Sequence, residues 1–257
     1  FIFIIMIVLP ESQYYFVKIS KKLDYAKFNI FWVYNYFLIL SSFILIIKKE
    51  MDACSMSRID FMFFLNIVGT VAFAISGSMK GIKYSLDILG IVVLGVITAI
   101  GGGIIRDILL NTVPEVLINE VNLIVAIIAS IIPFVFAKKI YKISFLIQLF
   151  DALGLAVFTI IGARRGLSHN LGALGVIIMA TSTGVAGGMI RDIMVGEIPF
   201  VLKEEIYASF CILGGLLFYL SIKYFHLPEI IVAYFLILLI FVGRILAIKF
   251  GLQLPKA

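Results

Sequence analysis

The stretch that decides the fold is Gly101-Gly102-Gly103-Ile104-Ile105-Arg106-Asp107. A near copy, Ala186-Gly187-Gly188-Met189-Ile190-Arg191-Asp192, follows later in the chain. Each copy lies late in an apolar run that is long enough to cross a bilayer. Glycine weakens a helix interior by roughly 0.5–1 kcal/mol relative to alanine, and a charge at the bilayer centre costs about 2.5–3.5 kcal/mol. We therefore expect two loosened or bent helices whose charged pairs face a shared polar path for a small solute.

The composition is that of a polytopic membrane protein. Hydrophobic residues make up 63% of the 257 and charged residues only 14%, against about 25% charged in soluble domains. The net charge of +6 comes from basic residues at the ends of apolar runs, which favours membrane anchoring over nucleic-acid binding. Cys54 and Cys211 lie far apart, and His169 and His226 are isolated. We therefore expect no disulfide framework, metal site or cofactor.

Seven apolar runs, each close to the roughly 20 residues that cross a bilayer, predict seven transmembrane helices. Helices are expected because backbone groups in lipid must bond within their own segment. The fold class is therefore all-α. No nucleophile and base cluster in any run, so the sequence does not predict an enzyme. The spans, numbered one to seven, are 61–79, 86–110, 121–137, 145–163, 172–195, 206–222 and 230–248.

The chain contains an internal repeat with a period of 85 residues. Without a gap, this shift places Gly69 on Gly154, Pro114 on Pro199, and the first glycine and Arg-Asp motif on the second. Each repeat holds three spans, and because three is odd the second copy must enter the membrane upside down. Inverted repeats are typical of transport proteins that bind solute between their halves. The predicted divisions are 58–140 for repeat 1, 141–225 for repeat 2, and 226–257 for the seventh helix and C-terminal tail.

Residues 1–57 form an N-terminal extension that does not follow the repeat. Three interpretations stay open: an extra helix, a signal-like segment, or upstream sequence translated from a start assigned too early. We favour the third, because nothing here matches the later pattern, and Met51 and Met56 stand just before the first regular span. Counted from Met51, the short loops on one side carry more Lys and Arg, which places the C-terminus in the cytoplasm.

The glycine breaks and the charges beside them are the candidate functional residues. A loosened helix frees carbonyl oxygens that replace water around a cation. Asp107 and Asp192 would attract cations, while Arg106 and Arg191 would balance the acids or act as gates. Secondary pore candidates are matched polar residues in the two repeats: Asn66, Thr98, Asp151 and Thr183.

Plainer interpretations of the same residues stay open. Small residues four apart, such as Gly95 and Ala99 or Gly184 and Gly188, also let helices pack closely. The Arg-Asp steps are also compatible with structural ion pairs at helix ends, although neither plainer interpretation explains as well why glycines and charges stay in register in both halves. Asn66 and Asp151 either line a path or merely start helices.

With these motifs in view, the chain resembles the bacterial branch of the trimeric intracellular cation (TRIC-type) channels, a domain also known as a glycine-transporter domain. The resemblance covers about Arg58 to Phe250. It implies a homotrimer in the bacterial inner membrane, with a pore in each protomer lined by kinked spans two and five. Ala186 departs from the pattern by replacing the first glycine of the second motif, so a stiffer bend is expected there. The residues that it carries onto this chain are Gly101, Gly102, Gly103, Gly187, Gly188, Arg106, Asp107, Arg191 and Asp192.

Three functions follow from this sequence. The first is a channel for monovalent cations, chiefly potassium and otherwise sodium, as the resemblance implies. The second is a carrier for a small amino acid such as glycine, working by alternating access, since inverted repeats and helix ends suit a carboxylate. The third is a membrane scaffold that transports nothing. Membrane lipids are expected partners in all three cases.

Overall fold

The computed structural model describes residues 58–136, 143–203 and 206–250. The predicted N-terminal extension, 1–57, lies outside these residues, as does the end of the C-terminal tail. The described residues form helices and turns without strands, which confirms the all-α fold class. The helices are α1 (Arg58–Lys83), α2 (Ile88–Leu109), α3 (Glu115–Ile118), α4 (Val121–Phe136), α5 (Ile143–Ser168), α6 (Ala173–Met194), α7 (Phe200–Lys203), α8 (Ile206–Lys223) and α9 (Glu229–Phe250).

Five of the described helices are long and apolar enough to cross a membrane: α1, α2, α5, α6 and α9. Their mean hydropathy ranges from 1.7 to 2.7. The predicted third and sixth spans are the shorter apolar helices α4 and α8, of 16 and 18 residues. Each of these two borders residues that the structure does not describe, 137–142 and 204–205. The helical architecture is therefore that of a polytopic membrane protein.

The helices repeat with the period found in the sequence. Helices α1, α2, α3 and α4 begin at residues 58, 88, 115 and 121, and α5, α6, α7 and α8 begin at 143, 173, 200 and 206, each 85 residues later. The short helices α3 and α7 therefore follow the two Arg-Asp motifs at the same distance. Helix α9 has no counterpart among the described helices.

The core lies where α1 crosses α5. The rings of Phe73 and Phe158, which are equivalent in the two repeats, stack with centroids 5.3 Å apart. Gly154 makes room for Phe73, since a Cβ there would lie under 3.0 Å from that ring, and Gly69 faces Phe158 in the same way at 3.1 Å. Burial of these aromatic side chains fixes the two repeats against each other.

The two glycine-rich helices are continuous at their motifs, and their bending stays a prediction. Helix α2 runs without interruption through Gly101–Gly103, and α6 runs through Gly187–Gly188. Glycine lowers helix stability only modestly, and here the tight packing against a neighbouring helix compensates for it. The glycines therefore do not free a set of carbonyl oxygens in this conformation. Ala186 lies in the buried part of α6. The helix is as continuous there as α2 is at the equivalent Gly101.

Candidate functional site

Helices α2 and α6 cross at the two glycine motifs, backbone against backbone. A Cβ at Gly102 would lie under 3.0 Å from the carbonyl oxygen of Thr183, and a Cβ at Gly187 would lie equally close to the carbonyl oxygen of Thr98. The repeat relates these two contacts, because Gly187 is the equivalent of Gly102 and Thr183 is the equivalent of Thr98. Gly101 faces the side chain of Ile190 across the same crossing. Gly101, Gly102 and Gly187 therefore act as close-packing surfaces, one of the interpretations that the sequence left open.

The secondary candidates Thr98 and Thr183 lie inside this crossing and are fully buried. Each hydroxyl donates a hydrogen bond of 2.6 Å to a carbonyl oxygen of its own helix, that of Leu94 or Met179. Such back-bonding satisfies the hydroxyl group within the helix. In this conformation the two threonines line no open path.

Each motif arginine bonds to the aspartate that follows it. Arg106 Nε donates to Asp107 Oδ1 at 2.8 Å, and Arg191 Nε donates to Asp192 Oδ1 at 3.0 Å. The second oxygen of each aspartate accepts the backbone N–H eight residues later, at Glu115 or at Phe200. These residues begin α3 and α7, so each aspartate holds the start of the following short helix. The carboxylates are thus engaged internally rather than open to a passing ion.

The second motif lies in a sealed network of charges. Arg191 has no exposed surface, and its Nη1 donates to Asp151 Oδ1 at 2.6 Å and to Ser76 Oγ at 2.7 Å. Lys80, which is 1% exposed, lies 3.2 Å from Asp192 and 2.8 Å from the carboxylate of Glu197. Buried charges are tolerated when they are paired and hydrogen-bonded in this way. Asp151 is therefore an ion-pair partner within α5 and not merely a helix start.

The first motif is closer to the surface. Glu115 accepts from Arg165 at 2.7 Å and lies 3.4 Å from Arg106. Arg165 is 40% exposed and Glu115 35% exposed. Arg165 is the repeat equivalent of Lys80, so the first helix of each repeat pairs a basic residue with an acid of the other repeat, Lys80 with Asp192 and Arg165 with Glu115. The Lys80 pair is buried, whereas the Arg165 pair is exposed to solvent.

A pocket of about 30 Å³ opens beside the first motif. This volume holds roughly one or two water molecules. Its lining residues from α1, α2 and α4 include Asn66, Gly103, Asp107 and Asn122. The candidates Asn66 and Gly103 are therefore brought together with the first Arg-Asp pair, whereas their equivalents, Asp151 and Gly188, lie in the sealed network.

Comparison with known proteins identifies this arrangement. The sequence model of a family described as Glycine transporter matches residues 63–138 and 148–223. A solved structure described as a prokaryotic TRIC channel in 0.5 M KCl is 41% identical to this chain, with a TM-score of 0.70, and the match covers 75% of this chain and 98% of that one. The chain belongs to this TRIC-type family.

Two further relatives agree with this assignment. The UPF0126 inner membrane protein YadS of Escherichia coli strain K12 is 37% identical over 196 residues, or 76% of this chain and 95% of YadS. The TRIC orthologue of Rhodobacter sphaeroides is 29% identical, with a TM-score of 0.71, over 74% of this chain and 98% of that one. Similarity to these membrane proteins confirms that the TRIC-type chain is a membrane protein and not an enzyme.

Sequence reasoning missed several residues of the TRIC-type site. Lys80 is not among the candidate residues, yet it lies buried in the last turn of α1. Tyr207 and Arg244 were not singled out, although the guanidinium of Arg244 lies 4.6 Å from the centre of the Tyr207 ring. The available signals were a basic residue repeated at Lys80 and Arg165, and an arginine inside the apolar seventh span.

Proposed function

We propose that the protein is a channel that conducts monovalent cations, potassium and also sodium, through one path in each protomer. The path follows α2 and α6 and includes the predicted site residues of both motifs. The observation that carries this proposal is the similarity to structures described as prokaryotic TRIC channels, which spans nearly the whole of those chains. We further propose a homotrimer in the bacterial inner membrane, surrounded by lipid, with the C-terminus in the cytoplasm and the repeats divided as the sequence predicts.

The physical basis of the proposal is the placement of paired charges within otherwise apolar helices. Arg106, Asp107, Arg191 and Asp192 are each no more than 4% exposed, and ionisable groups in membrane helices commonly mark ion pathways. The pocket beside the first motif is small and the second motif is sealed, so this conformation is closed. Conduction then requires α2 and α6 to move apart or roll so that the carboxylates of Asp107 and Asp192 meet water.

The test is potassium flux in proteoliposomes, with empty vesicles as the baseline and a potassium ionophore as the positive control. The informative variant is Gly103→Leu, because a Cβ there has open space, with its nearest neighbour Arg106 Nη2 at 3.9 Å. The leucine side chain would project into the pocket and reduce flux. The matched control is Gly172→Leu at the N-cap of α6, where a Cβ meets nothing within 4 Å. Equal flux through both variants would refute the path, and absence of flux in the wild type would refute the channel.

A second candidate function is uptake of a small amino acid by alternating access. The description of the matching family as Glycine transporter favours it. Radiolabelled glycine uptake into the same vesicles separates the two functions. A carrier gives saturable glycine uptake, whereas a channel gives cation flux without any amino acid.

A further inference from the structure

The two motifs have unequal surroundings, although the repeat places them equivalently. Three positions that contact them differ in chemistry between the halves. The amide of Asn66 in the first half corresponds to the carboxylate of Asp151 in the second. The carboxylate of Glu115 corresponds to the aromatic ring of Phe200. The equivalent pairs, first half before second, are Asn66 and Asp151, Asn122 and Tyr207, and Glu115 and Phe200.

In the first half, the short side chain at the α4 position leaves space. Asn122 lines the pocket beside Gly103 and the first Arg-Asp pair. Its Oδ1 is buried and has no hydrogen-bond partner among the described residues. A buried acceptor of this kind normally binds water or another donor. The first half therefore keeps a small, polar space that its side chains do not fill.

In the second half, an aromatic side chain occupies the equivalent place. Tyr207 is 1% exposed, and its hydroxyl oxygen lies 3.1 Å from where a Cβ of Gly188 would stand. Asp151 Oδ1, which accepts from Arg191, lies 3.2 Å from the same Cβ position. The ring of Phe200 covers Arg191 from another side, with 5.2 Å between the guanidinium carbon and the ring centre. The second motif is thus closed by rings where the first is open.

Helix α9 places a cationic side chain over the face of the Tyr207 ring. Arg244 of α9 is 2% exposed, and its guanidinium carbon lies 4.6 Å from the centre of that ring. A desolvated cation over an aromatic face is an attractive contact that fixes the plane of the ring. Since α9 lies outside the repeat, the first half receives no equivalent support from it. The one helix without a counterpart among the described helices therefore contacts the aromatic ring beside the second motif.

We propose that Tyr207 plugs the second half of the conduction path and that Arg244 is the positioning residue that holds the plug. The expected effect on flux rests on the proposed channel function. The packing of the Tyr207 ring against Gly188 does not depend on that function. Opening of the second half then requires the ring to leave Gly188, while the first half needs no such movement.

The test exchanges the two equivalent residues. Tyr207→Asn should open a pocket beside Gly188 and raise potassium flux several-fold, whereas Asn122→Tyr should fill the first pocket and lower it. The matched control is Tyr207→Phe, which keeps the ring and loses only the hydroxyl, so its flux should stay near that of the wild type. If Tyr207→Phe raises flux as much as Tyr207→Asn, the hydroxyl group and not the ring closes the path, and the plug is refuted.

Variants of Arg244 test the proposal even if the Tyr207→Asn protein does not fold. Arg244→Met keeps an apolar chain of similar length and should raise flux in part, while Arg244→Lys retains a cation and should restore the wild-type level. A merely structural role would lower the amount of folded protein without raising flux in either case. Unchanged flux in a folded Arg244→Met protein would refute the positioning role.

A structure of the Tyr207→Asn protein decides the packing claim even if the wild type shows no flux. A new pocket beside Gly188 supports the plug, and a collapsed, sealed site overturns it. Absence of wild-type flux refutes the proposed function alone, so the two failures are distinguishable.

Discussion

The crossing of α2 and α6 makes a sharp prediction about adjacent glycines. Gly102→Ala places a methyl group under 3.0 Å from the backbone carbonyl oxygen of Thr183, which cannot move without shifting α6. Gly103→Ala adds the same methyl group one residue later, where the nearest atom is a flexible guanidinium nitrogen of Arg106 at 3.9 Å. The two variants therefore differ in packing and little else.

The expected difference follows from two opposed effects. Both substitutions stabilise an isolated helix by roughly 0.5–1 kcal/mol, because alanine is the better helix former. Overpacking at Gly102 costs about 1–3 kcal/mol, and Gly103→Ala carries no such cost. The helix contribution cancels in the comparison, so Gly102→Ala should be about 1–3 kcal/mol less stable than Gly103→Ala.

The measurement is thermal unfolding of the purified protein in detergent, with the fraction of monodisperse protein after heating as a second readout. For a chain of this size, each kcal/mol shifts the midpoint by about 2–4 °C. Gly187→Ala should behave like Gly102→Ala, because its Cβ would strike the carbonyl oxygen of Thr98. If Gly102→Ala and Gly103→Ala unfold together, the backbone contact at the crossing does not exist.

The remaining predictions use other pairs of equivalent residues. Lys80→Met should destabilise the protein by about 3–5 kcal/mol, because Lys80 is buried and Asp192 would lose a partner; Arg165→Met, at a 40% exposed position, should cost less than about 1 kcal/mol. Thermal unfolding midpoints in low and high salt check both variants. Equal losses of stability would contradict the burial of the Lys80–Asp192 pair. Asp87→Ala should cost about 1 kcal/mol, since Asp87 accepts the N–H of Gly90 at 2.7 Å as the N-cap of α2. Gly172→Asp, which gives α6 the cap it lacks, should add a few tenths of a kcal/mol, and a loss of stability there would argue against the capping geometry.

Much of the fold is present in the pattern of apolar runs and in the 85-residue repeat. The lengths of the apolar runs predict helices, and the described residues form helices in these runs. The matched glycines predict equivalent packing in the two halves. The sequence singles out the motif residues, which the structure places at the crossing of α2 and α6, and their role in a polar path stays a prediction. Glycine propensity could not show the close contact at Gly102, because propensity describes an isolated helix, whereas the contact with Thr183 exists only once α6 is present.

The partners of the charges were beyond sequence reasoning for a different reason. Arg191 meets Asp151 and Ser76 across 40 and 115 residues of chain, and no local pattern specifies such pairs. Lys80 follows an apolar run, where a basic residue usually anchors the helix at the membrane surface. Only the packing of α6 against α1 turns this position inward and pairs it with Asp192.

The α2–α6 crossing has a mechanical consequence. Where most helix pairs interlock side chains, these two come closest through glycine and carbonyl backbone at Gly102 and Gly187, with the Ile190 side chain packed against Gly101 beside them. Two helices that rotate about such a close backbone contact spread at both ends in the same movement. A swivel at Gly102 and Gly187 would therefore widen both mouths at once, which suits passive conduction and is the reverse of what a carrier with alternating access requires.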